Sequence, residues 1–398
     1  MIKSTQETFP SLDIMLYAHD GRGLGHISRS VAIGLAVRRL FPHLRLLLLT
    51  GGAQTQELIG PGTLDWLKLP AYRTEVVAGK SRGIAGTSGY SDQELGLLRS
   101  DHICRVLRCY QPRIVLVDHA PQGKHKELLP SLQDTEIIKN SRWILGIRGV
   151  VGAVKQTASS LAVDLFNRYY SGLLWYGDSA ILGTSHREDL ERQYSTTARE
   201  CGYVSRLTEI EHAGSSRLSE SPRYCCTVSV PWAGERSEMF LELLAAFLRT
   251  AGCRHGKFNL FVGSDIASRV IEKFQTLECC TVHPFGGNYL EVLKCSRTAV
   301  IYGGYNSLVD VIAAGLPALV VMRDMQDREQ QQHLQALAGA LPDWLSPVDE
   351  QDCLNSPSLL AAKLSRLLAA DRPGRSGGPA ITLSGAEHAA RYLVSCLG

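Results

Sequence analysis

The chain has 398 residues, 44% of them apolar and 20% charged, which is too long for one ordinary core and excludes general disorder. Its net charge is +3 and no run of Lys or Arg is long enough to follow a phosphate backbone, so nucleic acid is excluded as a partner. The longest apolar run, residues 311–322, holds Gly315 and Pro317 and falls short of the ~20 residues of a transmembrane helix. Residues 1–7 are polar, with no apolar signal core, so the chain reads as cytoplasmic. There are 11 cysteines, none in a Cys-x-x-Cys pair, and Cys225–Cys226 and Cys279–Cys280 are adjacent. That usage predicts reduced, buried thiols rather than disulfides or a metal site.

In chain order, residues 12–17 read as a buried strand, 28–39 as a helix and 44–49 as a second strand, which makes a βαβ unit. Further strands are predicted at 113–117, ending in Asp118, at 143–147, ending in Arg148, and at 179–182. Residues 209–222 are polar and Ser-rich and read as an interdomain linker. A second alternation follows: strand 224–230, helix 237–250, strand 258–262, strand 281–283, helix 289–294, strand 299–302, helix 308–314 and strand 318–322. Residues 371–379 read as a Gly/Pro/Arg loop and 385–396 as a closing amphipathic helix. The expected fold class is α/β, two Rossmann-like domains facing across a cleft. The first domain spans 1–210 and the second 211–380, with 381–398 packing back towards the first. In open parallel sheets ligands bind at the carboxyl ends of the strands.

Two constellations carry chemistry. Gly23-Leu24-Gly25-His26-Ile27-Ser28-Arg29 follows the first strand and opens a helix. Its glycines allow close backbone approach, and the helix terminus favours negative charge. It is not a dinucleotide fingerprint, because Ser28 stands where a third Gly is needed. Gly23, Gly25, Arg29 and Arg148 are candidate phosphate or acceptor contacts. The second constellation is Gly303-Gly304-Tyr305-Asn306-Ser307-Leu308-Val309-Asp310, then Gly315-Leu316-Pro317, then Asp327-Arg328-Glu329-Gln330-Gln331. Asn306 or Ser307 is expected to cap a helix whose free N–H groups take a diphosphate. Asp310 can accept both hydroxyls of a ribose, and Asp327 and Gln330 can hydrogen-bond sugar hydroxyls. A third stretch, 74–81, is a decoy: a phosphate-binding loop needs Gly where Thr74 stands, so Lys80 reads as a loop lysine.

The second constellation resembles the donor site of GT-B glycosyltransferases, and is similar to the group containing the bacterial N-acetylglucosaminyltransferase of lipid II synthesis. The chain also resembles a bacterial "predicted glycosyltransferase" family. It matches that family at His19, Asp20, Gly23, Leu24, Gly25, His26 and Arg29, and at Val117, Asp118, His119, Pro121 and Gly123. It matches further at Tyr176-Gly177-Asp178 and Gly202-Tyr203-Val204. It departs from the family at Pro231-Trp232-Ala233-Gly234-Glu235, where a Gly-rich turn is usual, at Gly149, where Asp follows the Arg148 position, and at Asp310, usually Glu.

The resemblance implies transfer of a sugar from a UDP- or dTDP-sugar to a hydroxyl or amine of a small-molecule or lipid-linked acceptor, in natural-product or cell-envelope glycosylation. By the same likeness His26 is the general base and Asp118 its orienter, with inversion at the sugar carbon. His19 remains a rival base, and His26 a possible capping or phosphate-contacting residue. No two Asp stand two positions apart, so no metal and no cofactor are expected. The alternatives are a nucleotide-sugar hydrolase or epimerase on the same fold, since one such hydrolase family also opens Gly-x-Gly-His-x-x-Arg, and a binding protein without turnover.

Overall fold

The structure is a computed structural model that describes residues 11–18, 24–77, 80–84, 88–150, 155–213, 223–230, 234–250, 252–263, 265–323, 329–370 and 381–398. Its strands are β1 (Ile14–Tyr17), β2 (Leu46–Thr50), β3 (Trp66–Lys68), β4 (Arg73–Val77), β5 (Lys80–Ile84), β6 (Ile114–Asp118), β7 (Arg142–Arg148), β8 (Tyr170–Tyr176) and β9 (Ala198–Glu200). They continue as β10 (Tyr224–Val230), β11 (Phe258–Val262), β12 (Cys280–Pro284), β13 (Ser296–Tyr302), β14 (Ala318–Met322) and β15 (Leu345–Asp349).

Two parallel sheets result, one of seven strands in the order β3-β2-β1-β6-β7-β8-β9 and one of six in the order β12-β11-β10-β13-β14-β15. β4 and β5 form a separate antiparallel pair. In the first sheet β1 lies between β2 and β6, and in the second β10 lies between β11 and β13. The strand order reverses at β1 and at β10, and the crevices beyond their carboxyl ends are where such sheets bind ligands. Continuous apolar runs such as Leu46–Leu49 and Ile114–Val117 form these strands because helices cover both faces.

The apolar core does not stop at the domain junction. One cluster joins Ile14, Leu48 and Leu116 of the first sheet to Tyr305, Leu308, Val311 and Leu334 of the second half, while the outer layer of the second half, with Phe240, Leu260 and Leu364, is a separate cluster. The C-terminal helix Gly385–Ser395 lies against the helix Gly25–Leu40. Arg39 reaches Glu387 at 3.3 Å, and the Tyr203 N–H donates to the Thr382 carbonyl at 2.7 Å.

Four expectations are corrected. Residues 179–182 are a helical turn and not a strand: the Asp178 carboxylate accepts the Ala180 N–H and Gly183, at φ 69°, ends the turn. Its place in the sheet belongs to β8. The linker begins later than residue 209, because Arg206–His212 is a helix whose Glu209 is buried and paired with Arg39 Nε at 3.0 Å. Lys80 opens β5 of the hairpin. Among the cysteines, Cys253 and Cys279 form a disulfide with Cα atoms 5.2 Å apart. Neighbouring residues at the start of a strand face opposite ways, so Cys279 turns towards the Gly252–His255 turn while Cys280 enters β12. The predicted loop at 371–379 lies outside the described residues.

Candidate active site

The site starts from the two loops at the reversal of the first sheet. The helix Gly25–Leu40 follows β1 and carries His26 in its first turn and Arg29 one turn later, on the same face. Asp118 is the last residue of β6. The three side chains meet. His26 Nδ1 lies 2.5 Å from Asp118 Oδ2. Arg29 donates from Nη2 to Asp118 Oδ2 at 2.9 Å and from Nε to Oδ1 at 3.3 Å, and the same Nη2 lies 2.9 Å from His26 Nδ1. A separation of 2.5 Å between His26 Nδ1 and a carboxylate oxygen requires a proton between them, so Nδ1 is the donor and Nε2 is the nitrogen that can take a further proton. Arg29 Nη2 therefore abuts Nδ1 while its hydrogen bond goes to the carboxylate.

Burial would raise the Asp118 carboxyl, but the Arg29 guanidinium and His26 outweigh it and hold the group well below the usual carboxylate range. It stays charged, with 2% of its surface exposed. Burial lowers the His26 imidazole below its ordinary value; Asp118 opposes this, and Arg29 and Arg148 push the same way as burial. The balance keeps His26 neutral at pH 7, which a general base requires.

His119 follows Asp118 with φ 80°, a left-handed conformation that an L-residue adopts at a cost. Its N–H donates to the Gly146 carbonyl at 2.8 Å, and its ring sits 5.1 Å from that of His26. Burial, with the Arg148 charge acting the same way, lowers its imidazole well below the ordinary value. The loop beyond it is tied down by buried Glu127, which accepts from Arg99 Nε at 2.6 Å and Nη2 at 2.8 Å and from Tyr72 Oη at 3.0 Å.

The second half meets this site with the helix Tyr305–Ala314, which begins after Gly303-Gly304. Here the expected cap is corrected. Gly304, extended at ψ 149°, is the N-cap position, and no side chain caps the helix. The helix starts three residues before the expected one, which puts Asn306 and Ser307 inside its first turn. Gly303 lies against Met322, where a Cβ would come 2.7 Å from the sulfur. Gly25 lies against Asn306: a Cβ on Gly25 would fall 2.9 Å from Asn306 Nδ2, so glycine there lets the first turns of the two helices touch. At the end of β7, Arg148 Nη2 donates to Glu329 Oε2 at 2.5 Å, a pair that spans the two halves. Glu329 opens the helix Glu329–Ala340, on which Gln330 is half-buried.

Asp310 lies farther along the Tyr305–Ala314 helix, 9% exposed and beside Arg206 and Tyr289. Burial pushes its carboxyl up to about 7, against the pull of Arg206. His19, Gly23 and Asp327 lie outside the described residues. Among the described residues no group of three or more His, Cys, Asp or Glu has the geometry to hold a metal ion. No described helix is long and apolar enough to cross a membrane.

Sequence reasoning brought His26 and Asp118 to one end of one sheet, and the structure shows them in contact; Arg29, expected as a phosphate or acceptor contact, is bonded to Asp118. It missed Arg148's partner Glu329, and it missed Tyr305, Arg206 and the strained His119. Glu329 and Tyr305 stood inside the quoted motifs as neighbours of the residues named, with no signal of their own.

No family model and no curated protein matches the chain. Among solved structures it is similar to the UDP-GlcNAc 2-epimerase of Methanocaldococcus jannaschii in complex with UDP-GlcNAc and UDP, at 12% identity over 97% of this chain and 99% of that one, TM-score 0.60. It is similar to the UDP-GlcNAc 2-epimerase of Neisseria meningitidis bound to UDP-GlcNAc, at 10% identity over 96% and 98%, TM-score 0.61. It is also similar to the glycosyltransferase of kitacinnamycin, at 13% identity over 97% and 96%, TM-score 0.54. At these identities the likeness is one of fold. The chain has the two-domain α/β fold that GT-B glycosyltransferases share with UDP-GlcNAc 2-epimerases.

Proposed function

We propose that the protein transfers a sugar from a UDP- or dTDP-sugar to a hydroxyl or amine of a small-molecule or lipid-linked acceptor. The observation that carries this reading is the His26–Asp118 pair, 2.5 Å apart at the strand-order reversal and opposite the uncapped first turn of the helix Tyr305–Ala314. In the reaction the acceptor O–H or N–H proton passes to His26 Nε2. The acceptor atom bonds to the sugar carbon from the face opposite the nucleotide, and the carbon–oxygen bond to the diphosphate breaks with its electron pair going to the phosphate. The configuration inverts. Asp118 stays ionised, fixes the ring and stabilises the imidazolium. The helix N-terminus, with its backbone N–H groups and positive dipole end, stabilises the leaving diphosphate. Asp310 takes the ribose, and the helix opening at Glu329, with Gln330, faces the sugar.

The likeness to enzymes solved with UDP-GlcNAc supports a uridine nucleotide as the first donor to try. A thermal-shift panel of UDP-, dTDP- and GDP-sugars tests the donor. Stabilisation by one uridine or thymidine sugar is expected, and no shift with any nucleotide overturns the reading. The rival is hydrolysis or epimerisation of the nucleotide sugar by the same dyad. Product analysis separates them: a hydrolase releases free sugar at full rate without acceptor, and an epimerase returns an isomeric nucleotide sugar. The scheme uses the helix terminus in place of a divalent ion, so EDTA is expected to leave turnover intact. Loss with EDTA and recovery with Mg²⁺ or Mn²⁺ would overturn that part.

A further inference from the structure

Tyr305 is the first residue of the helix Tyr305–Ala314 and is 7% exposed. It belongs to the second half of the molecule, yet its contacts reach into the first. Its hydroxyl accepts the Val204 N–H at 3.0 Å and donates to the Tyr176 carbonyl at 3.1 Å. The guanidinium carbon of Arg29 lies over its ring, 5.4 Å from the centroid. The ring also stacks on His333, with centroids 5.6 Å apart at 20°, and tilts against Tyr203 at 5.7 Å.

Arg29 is the link. A guanidinium is a plane whose edge donates hydrogen bonds and whose face stacks on an aromatic ring. The edge of Arg29, through Nε and Nη2, holds Asp118, and its guanidinium carbon lies over the Tyr305 ring. Arg29 is 3% exposed, so it has little room to reorient while both contacts hold. Tyr305 directly precedes Asn306, whose side chain touches Gly25. The residue that starts the helix is thus fixed to the dyad by a cation–π contact, and to β8 and the segment after β9 by hydrogen bonds.

We propose that Tyr305 is a positioning residue that transmits the placement of its helix to the His26–Asp118 pair through the Arg29 guanidinium. The proposal rests on the reading of His26 as base and of that helix as the donor side. Its consequence is that donor and base are held as one unit. A misplacement of about 1 Å between reacting groups can cost ~10²-fold in rate, and Tyr305 limits it.

Among the described residues, the charged and titratable groups around His26 include Arg29 from its own helix, Asp118 and His119 from the end of β6 and Arg148 from the end of β7. Arg29 lowers the His26 imidazole, so an Arg29 no longer held by Tyr305 lets it rise. The test follows His26 by NMR in the full chain with labelled histidine. Tyr305→Met refills most of the volume with a flexible side chain that lacks a π face, and the His26 titration is expected to move up by about 1 unit. Tyr305→Phe keeps the ring and is expected to hold the titration in place. Arg29→Gln moves it in the same direction, and adding Tyr305→Met to Arg29→Gln moves it no further. An unmoved titration in Tyr305→Met overturns the proposal, as does a shift in Tyr305→Phe as large as that in Tyr305→Met. In the wild-type protein the Arg29 Nε proton is expected upfield under the ring current. An ordinary guanidinium position overturns the proposal whether or not any variant folds. The titration needs no turnover, so a His26→Ala variant with wild-type rate would remove the base assignment and leave this result standing on its own.

Discussion

The two halves of the cleft are built in different ways. In the first half, three polar side chains within 3.3 Å of one another, His26, Asp118 and Arg29, are buried or half-buried at the end of one sheet. In the second half, the corresponding surface is the start of a helix that no N-cap side chain caps, with Asp310 beside Arg206 farther along it. The first arrangement concentrates interaction in a few groups, so a single substitution removes much of it. The second spreads it over backbone N–H groups that no side-chain substitution short of proline deletes. Side-chain changes should therefore act steeply on chemistry in the first half and more gently on binding in the second.

The steepest expected effect is His26→Ala. Removing a general base costs ~10²–10⁴ in rate, while affinity for the nucleotide, held by the other half, should stay within a few-fold. Single-turnover rates and calorimetric dissociation constants measure the two separately. A weakened dissociation constant with kcat spared would move His26 to phosphate contact and leave the base role to His19.

Asp118→Asn comes next. It removes the negative charge that holds the Nδ1 proton, so kcat falls by less than in His26→Ala, and the double variant is less than additive. Additive losses would break the pairing. The pH profile sharpens the same point. His26 titrates below its ordinary value, so kcat/KM should hold through neutral pH and fall only as the solution becomes acid enough to protonate it. Asp118→Asn removes a cause that raises His26, so the acid limb should move to lower pH still. Movement to higher pH would contradict the pairing.

Asp310→Ala tests the second half. Each hydrogen bond to a charged acceptor is worth roughly 1.5–3 kcal/mol, so the loss of even one should weaken UDP binding by ~10–150-fold with circular dichroism unchanged. The carboxyl is raised to about 7, so binding should tighten as pH rises through that value and the acceptor ionises. Stability of the free protein carries the opposite sign. Between the unfolded value and about 7 the folded chain holds the extra proton, so stability falls as pH rises across that window, and Asp310→Asn should flatten the fall. Unchanged binding at every pH would place the ribose elsewhere.

The smallest effect is expected at the pair that joins the halves. Glu329→Gln removes the counter-charge of Arg148 across the junction, 2.5 Å away. Arg148 keeps 23% of its side chain exposed, so turnover should change only a few-fold and the His26 acid limb should move slightly to lower pH. A loss as large as that of His26→Ala would show that Glu329 acts in the chemistry.

Much of this was legible in the sequence. Strands β10, β11 and β14 and the helix Tyr289–Lys294 are marked by short apolar runs between polar turns, because a strand or helix covered on its faces must be apolar nearly throughout. Gly25-His26 after one strand and Asp118 at the end of another were enough to put the pair at one end of one sheet, since parallel strands deliver all their carboxyl ends to the same side. Residues 179–182 misled because four apolar or small residues fit a strand or a turn equally, and only the cap made by Asp178 decides between them. The partners of the named residues were not legible at all. Arg148 meets Glu329 from 181 positions away, Tyr305 meets Tyr176 from 129, and Cys253 finds Cys279 across a turn and a helix. Local pattern determines which elements form and which end of the sheet carries the chemistry. Which side chains touch across the cleft, and hence how Arg29 is shared and how far Asp310 is buried, depends on how the two sheets pack together, and that is set by contacts between residues with no sequence relation to one another.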